Sequence, residues 1–211
     1  MKVVIKKARL SFADIFKAKS IKGGKPRFSA NFLCSEDTTI VVEGKSYGHE
    51  HFEEVIKDVC RAKFNKVPKK FKNWVYNQAD GTAPVGKARD PFTDKEGEYW
   101  EGVEEDTFYV SAAKREDKAK NGQIPILDQG KQPIAENSGK IFSGCYVNAI
   151  VDVYAMDDDE GPLVSASLEG IQLVKTGPAL GFTAIDAEDE FDEEEYEDIE
   201  ADDDDEEDIP L

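Results

Sequence analysis

The last 26 residues contain no lysine, arginine or histidine: from Asp186 to Leu211 there are 18 acidic side chains and not one base. That absence accounts for the net charge of -18 on the 211-residue chain, in which 45 acids face 27 bases. Taken whole, such a charge argues against a nucleic-acid partner. Taken by region it does not. The first 185 residues hold 27 acids and 27 bases, and the first 75 hold 17 bases against 8 acids. A basic start, a balanced middle and an acidic end is the asymmetry of a nucleic-acid surface joined to an acidic tail.

Cysteine is scarce, and the three present, Cys34, Cys60 and Cys145, are widely spaced with no CxxC pair. That excludes a zinc knuckle and a thioredoxin-like motif, and leaves three free thiols packed as small apolar groups in a reducing compartment. No apolar run approaches the ~20 residues of a membrane-spanning helix. The start, MKVVIKKARL, lacks the apolar centre of a signal peptide. A soluble cytoplasmic protein with no membrane partner is expected. Catalytic motifs are also lacking. Lys22-Gly23-Gly24-Lys25 is too short for a phosphate loop and has no Lys-Ser/Thr ending, and no GxSxG occurs. His49-Glu50-His51, near Glu53 and Glu54, puts its imidazoles on different sides of a helix start with no third ligand motif. The acidic run from Asp157 to Glu160 reads as a solvated turn. No catalytic residue, metal or cofactor is expected, and the protein is not expected to be an enzyme.

What is there is mostly strand. Val3 to Phe12 mixes β-branched and basic residues, and Arg27 to Cys34 alternates Phe28, Ala30, Phe32 and Cys34 with Arg27, Ser29 and Asn31. His49 to Lys66 reads as an amphipathic helix, with Phe52, Val55, Ile56, Val59, Cys60 and Phe64 on one stripe and Pro68 stopping it. Further strands are predicted at Thr107–Ala113, Ile124–Leu127, Gly144–Met156 and Pro162–Val174, the last two joined by a hairpin over Asp157–Gly161. Several strands with one helix and no repeat fit a small closed or nearly closed barrel. Periodicity does not separate that from a two-sheet sandwich. The body is taken as residues 1–185.

Binding an unpaired strand without sequence preference needs a cationic track for phosphates and aromatic faces for bases. Here the two kinds of residue interleave. Lys69, Lys70, Phe71, Lys72, Trp74 and Tyr76 are followed by Lys87, Arg89 and Phe92, then by Tyr99 and Trp100. This Gly- and Pro-rich stretch, from Pro68 to Gly102, is longer than ordinary loops and too aromatic for a plain linker. Lys114, Arg115, Lys118 and Lys120 cluster at a strand end. Phe71, Phe92 and Phe108 are expected to pack in the core, whereas Trp74, Trp100, Tyr76 and Tyr109 are candidates for a groove.

The segment 186–211 is too charged and too poor in apolar surface to offset the entropy of ordering, so no fixed structure is expected. A flexible chain of this length spans roughly 30 Å. It can lie in a basic groove in place of DNA phosphate, and Asp208, Ile209, Pro210 and Leu211, the last three following seven consecutive acids, can present an apolar end to a partner.

These residues resemble the bacteriophage-encoded single-stranded DNA-binding proteins, which combine an OB fold with an acidic tail. The resemblance rests on Lys25-Pro26-Arg27-Phe28-Ser29-Ala30-Asn31-Phe32, on Phe142-Ser143-Gly144-Cys145-Tyr146-Val147, and on Leu168-Glu169-Gly170-Ile171-Gln172-Leu173-Val174. The acidic tail is similar to the apolar-ended tips of bacterial single-strand binders. The resemblance implies a mainly β protein: an OB-fold-like five-stranded barrel with one inserted α-helix and a disordered acidic C-terminal tail. It implies sequence-independent binding of single-stranded DNA in phage DNA replication, recombination and repair, as a monomer or homodimer. It also implies that the tail recruits polymerase, helicase-primase and recombination factors. Arg27 matches a family position associated with DNA contact and Lys2 another, while Lys114 and Arg115 stand in for a lysine missing from Phe108-Tyr109-Val110. Two other classes stay open: an acidic-tailed interaction protein that mimics DNA or chaperones basic proteins, and a metal-dependent nuclease.

Overall fold

The computed structural model describes residues 1–20, 23–78 and 107–180. Within them the chain runs β1 (Lys2–Lys19), β2 (Arg27–Cys34), β3 (Thr39–Val42), β4 (Lys45–Gly48), a 3-10 turn (His49–His51), α1 (Phe52–Phe64), β5 (Lys72–Asn73) and β6 (Tyr76–Gln78). After residue 106 follow β7 (Phe108–Arg115), β8 (Ile126–Leu127), β9 (Tyr146–Asp158) and β10 (Gly161–Lys175). Lys87, Arg89, Phe92, Tyr99, Trp100 and the whole acidic tail lie outside the described residues, as does the side chain of Tyr76.

β1 is longer than its alternation predicts. The pattern breaks after Ile5 and again after Ser11, where the register against the neighbouring strands shifts. At those breaks Lys7 and Phe12 take φ of 60° and 45°. Such bulges bend and twist a strand. The bent β1 pairs β3 and β9 along its first half and β2 along its second.

The sheet order is β5-β10-β9-β1-β2-β7-β6. Its two ends, β5 and β6, are successive pieces of one segment, 72–78. The Trp74 N–H donates to the Val164 carbonyl at 3.2 Å, and the Ser111 N–H donates to the Val75 carbonyl at 2.7 Å. One short segment therefore links β10 to β7, and the sheet returns on itself. The Lys114 ammonium on β7 pairs with Glu169 on β10 across the same seam. The five long strands β1, β2, β7, β9 and β10 form the OB-like barrel, and the barrel rather than the sandwich is the architecture. The short strands are additions: β3 and β4 hang on β1 as a hairpin, and β8 pairs β10 in parallel.

Alternation fills the inside. Cys145, Val147, Ala149, Val151 and Val153 are all fully buried, as the period of two predicts, while Ile150 and Tyr154 point outward. Phe28, Phe32 and Phe52 are among the largest buried groups. α1 contributes Phe52, Val55, Ile56, Val59 and Cys60 to this core and packs against β9 and β10. Each such side chain contributes roughly 1.5–3 kcal/mol by leaving water. The helix ends at Asn65, which adopts the left-handed conformation (φ 59°) and donates its N–H to the Arg61 carbonyl at 2.9 Å. All three cysteines are free and buried; burial raises the Cys34 thiol pKa far above its usual range.

Past β10 the chain crosses back over the barrel. The Leu180 N–H donates to the Ser143 carbonyl at 2.9 Å, and the buried Arg9 guanidinium donates to the Pro178 carbonyl at 3.0 Å. Gly144 makes the crossing possible: its φ is +117°, and a Cβ there would lie 2.0 Å from the Pro178 oxygen.

Candidate nucleic-acid interface

Register assembles what the sequence keeps apart. β2 and β7 pair as Arg27 with Arg115, Ser29 with Ala113 and Asn31 with Ser111. β1 sets Lys19 beside Arg27, Asp14 beside Ser29 and Ser11 beside Asn31. Directly paired residues share a face, and this face points away from the core because Phe28, Ala30 and Phe32 fill the other one. Lys19, Arg27 and Arg115 thus form a row of three cations across three adjacent strands, each strand spaced about 4.8 Å from the next.

Two of the three cations carry counterions. Lys19 pairs with Asp14. Arg115 makes a two-pronged contact with Asp117, Nε to Oδ1 at 2.8 Å and the second prong at 2.5 Å. Lys25 reaches the same carboxylate at 3.4 Å. The Arg115 hydrogen bonds, helped by Lys25, pull Asp117 down to a pKa of about 2. Arg27, exposed between them, has no acidic partner among the described residues. The row is a set of cations held in place by displaceable acids, which suits an incoming phosphate.

Among the aromatics, Trp74 is 61% exposed. It lies in the segment that bridges β10 and β7, next to Val75, whose carbonyl takes the Ser111 N–H. Ser111 is four residues from Arg115 along β7, about 13 Å. Lys69 and Lys70 are exposed just ahead of β5.

The other predicted contacts are dispersed. Tyr109 is on the outer face beside Leu33, yet is only 5% exposed. Lys114, one residue before Arg115, turns to the opposite face and is drawn onto Glu169, leaving its side chain 16% exposed. Lys72 is held by Asp158 and Glu160 of the β9–β10 hairpin. The hydrogen bonds that Lys72 donates to Glu160 and then to Asp158 raise its pKa. Lys2 is exposed at the far end of β1, in register with Asp152. Lys19, Lys25 and Asp117 were not among the predicted contacts; the strand register brings Lys19 to Arg27, and Lys25 and Asp117 join through the ion pair between them and the Asp117 contact with Arg115.

The motifs weighed for metal have other partners. The His51 ring stacks on Tyr47 at 3.7 Å between centroids, and His49 packs against Phe108 at 5.2 Å. Among the described residues no group of three or more His, Cys, Asp or Glu side chains could hold a metal ion, and no helix is long and apolar enough to cross a membrane.

An OB-like barrel carrying a cationic row on its outer strands has the form of a nucleic-acid-binding module. The family model described as "Enterobacter phage Enc34, ssDNA-binding protein" matches residues 1–205, so the chain belongs to this family of phage single-stranded DNA-binding proteins. It is 29% identical over 204 residues to protein p50 of Acyrthosiphon pisum secondary endosymbiont phage 1, covering 92% of this chain and 94% of that protein. The fold is similar to that of the single-stranded DNA-binding protein from bacteriophage Enc34. Against its complex with single-stranded DNA the TM-score is 0.58 at 15% identity, over 85% of this chain and 89% of the other. Against the same protein without DNA it is 0.58 at 16% identity, over 90% of each.

Proposed function

We propose that the chain binds single-stranded DNA without sequence preference through the outer face of β1, β2 and β7, and that it serves phage DNA replication, recombination and repair in the host cytoplasm. The observation that carries this reading is the Lys19–Arg27–Arg115 row. Phosphates occupy the row, and bases stack on Trp74, with Lys69 and Lys70 extending the cationic track. Binding only the open strand destabilises duplex by mass action, with no chemical step.

Residues 1–185 are the DNA-binding body and 186–211 a separate acidic tail. The tail, with 18 acids and no base, competes with DNA phosphate for the row and offers Asp208, Ile209, Pro210 and Leu211 to replication proteins. Charge segregation within the sequence supports both roles.

A mobility-shift titration tests the reading. The full chain is expected to shift an oligo-dT strand at low salt and progressively less as salt rises, with a log–log slope near -0.7 per phosphate engaged. Truncation after Ile185 is expected to tighten binding. Equal affinity for duplex DNA counts against it, because duplex hides the base faces. Binding of basic proteins without DNA affinity favours the chaperone alternative, and magnesium-dependent cleavage favours the nuclease.

A further inference from the structure

At the end of the cationic row the barrel opens into a groove of about 490 Å³. Its floor is four isoleucines, Ile15, Ile124, Ile126 and Ile134, each only 3–8% exposed. Phe16, half-buried, and the exposed Pro133 form parts of its wall. We propose that this groove is a subsite for a nucleobase of the bound single strand. The proposal rests on the DNA-binding reading above and says where one base goes once the strand is bound.

Three observations support it. Both walls continue the row itself: Phe16 stands three residues before Lys19 on β1, and the 3-10 turns after Arg115 lead into Lys120 and Gln123. The mouth is also suited to a nucleotide. Lys120 is exposed with no acidic partner among the described residues, and Lys17 holds Glu136 of the groove at 3.0 Å in a largely exposed pair that a phosphate can displace. The Asn121 and Gln123 side-chain amides, also on the rim, each carry donors and acceptors, so they can meet the edge of any base. Finally, the volume lies in the range of sites that enclose a small ligand in apolar walls with a few polar groups at the edge. An aliphatic peptide end would use the isoleucines but leave both amides and the phosphate-ready lysines unused.

The test is isoleucine-methyl NMR on the full chain, titrated with oligo-dT and, separately, with inorganic polyphosphate at matched ionic strength. Oligo-dT is expected to shift the methyls of Ile15, Ile124, Ile126 and Ile134 through base ring currents, whereas polyphosphate leaves them in place. Phe16→Leu keeps the apolar bulk but removes the aromatic face, and is expected to weaken oligo-dT binding about fivefold. Binding of oligo-dT with unmoved groove methyls overturns the subsite while sparing the DNA-binding reading. So does a groove shift, in the absence of DNA, between the wild-type chain and Ile209→Asn/Leu211→Asn, which assigns the groove to the tail end. A chain that binds no oligo-dT at all refutes both.

Discussion

Asp117 is the acid that DNA has to displace, so removing its charge is expected to tighten binding. In Asp117→Asn the two-pronged contact to Arg115 and the reach from Lys25 both lose their ionic character. The pair is about half exposed, and exposed ion pairs are worth about 0–1 kcal/mol. Freeing Arg115 from so exposed a pair therefore raises DNA affinity at most roughly fivefold. If Arg115 then engages a phosphate it did not hold before, the salt slope steepens by about 0.7. The control is Glu36→Gln. It makes the same change in net charge, just beyond Cys34 at the other end of β2, about 23 Å from Arg27. Fluorescence anisotropy of labelled oligo-dT at 50–200 mM salt is the assay. Asp117→Asn is expected to bind up to about fivefold tighter, and Glu36→Gln to change affinity less than about twofold. Equal effects from the two variants would reduce the row to a diffuse charge effect and refute the reasoning.

Trp74→Ala is expected to weaken oligo-dT binding by the worth of one stacked base, about 1–3 kcal/mol. At 61% exposure it should leave the thermal midpoint unchanged, with calorimetry separating the two. Lys114→Ala is expected to act the other way. It strands Glu169 at the barrel seam, costing about 1–2 kcal/mol in denaturant titration and changing DNA affinity less than about threefold; a large affinity loss at unchanged stability makes Lys114 a DNA contact after all. Gly144→Ala forces a Cβ to within 2.0 Å of the Pro178 oxygen at φ +117°, and is expected to lower the melting temperature by about 5–10 °C. For Asp117, whose pKa falls to about 2 on folding, the stabilising contribution is present above about pH 4 and lost as pH falls toward 2. Carboxylate NMR titration should place its midpoint near 2, well below the usual carboxylate range.

The helix was legible in the sequence because its signal is local: the stripe from Phe52 to Cys60 is the buried face. So was β9, whose odd-numbered residues alternate without a break from Cys145 to Val153. β1 was read only as far as Phe12 because bulges at Lys7 and Phe12 interrupt a period-two pattern twice. The β3–β4 hairpin went unread although Glu43-Gly44, with φ of 50° and 80°, is a two-residue turn of the kind such hairpins use. Within the site, Arg27 and Arg115 were legible singly, but their adjacency depends on a register between strands more than 80 residues apart. Lys114 and Arg115 are neighbours in sequence but lie on opposite faces of β7. The parity of Val110 and Ala112, both buried, already turns Lys114 to the other side. Tyr109 was judged by its chemistry, whereas its burial depends on what the folded chain lays over the outer face.

The account rests on an unpaired strand lying across β1, β2 and β7. Photocrosslinking of the full chain to oligo-dT, with the attached residues read by mass spectrometry, addresses that directly. Crosslinks at Trp74 and in the peptides bearing Lys19, Arg27 and Arg115 are the predicted result. Crosslinks confined to the outer side of β9, around Ile150, Tyr154 and Met156, would contradict it.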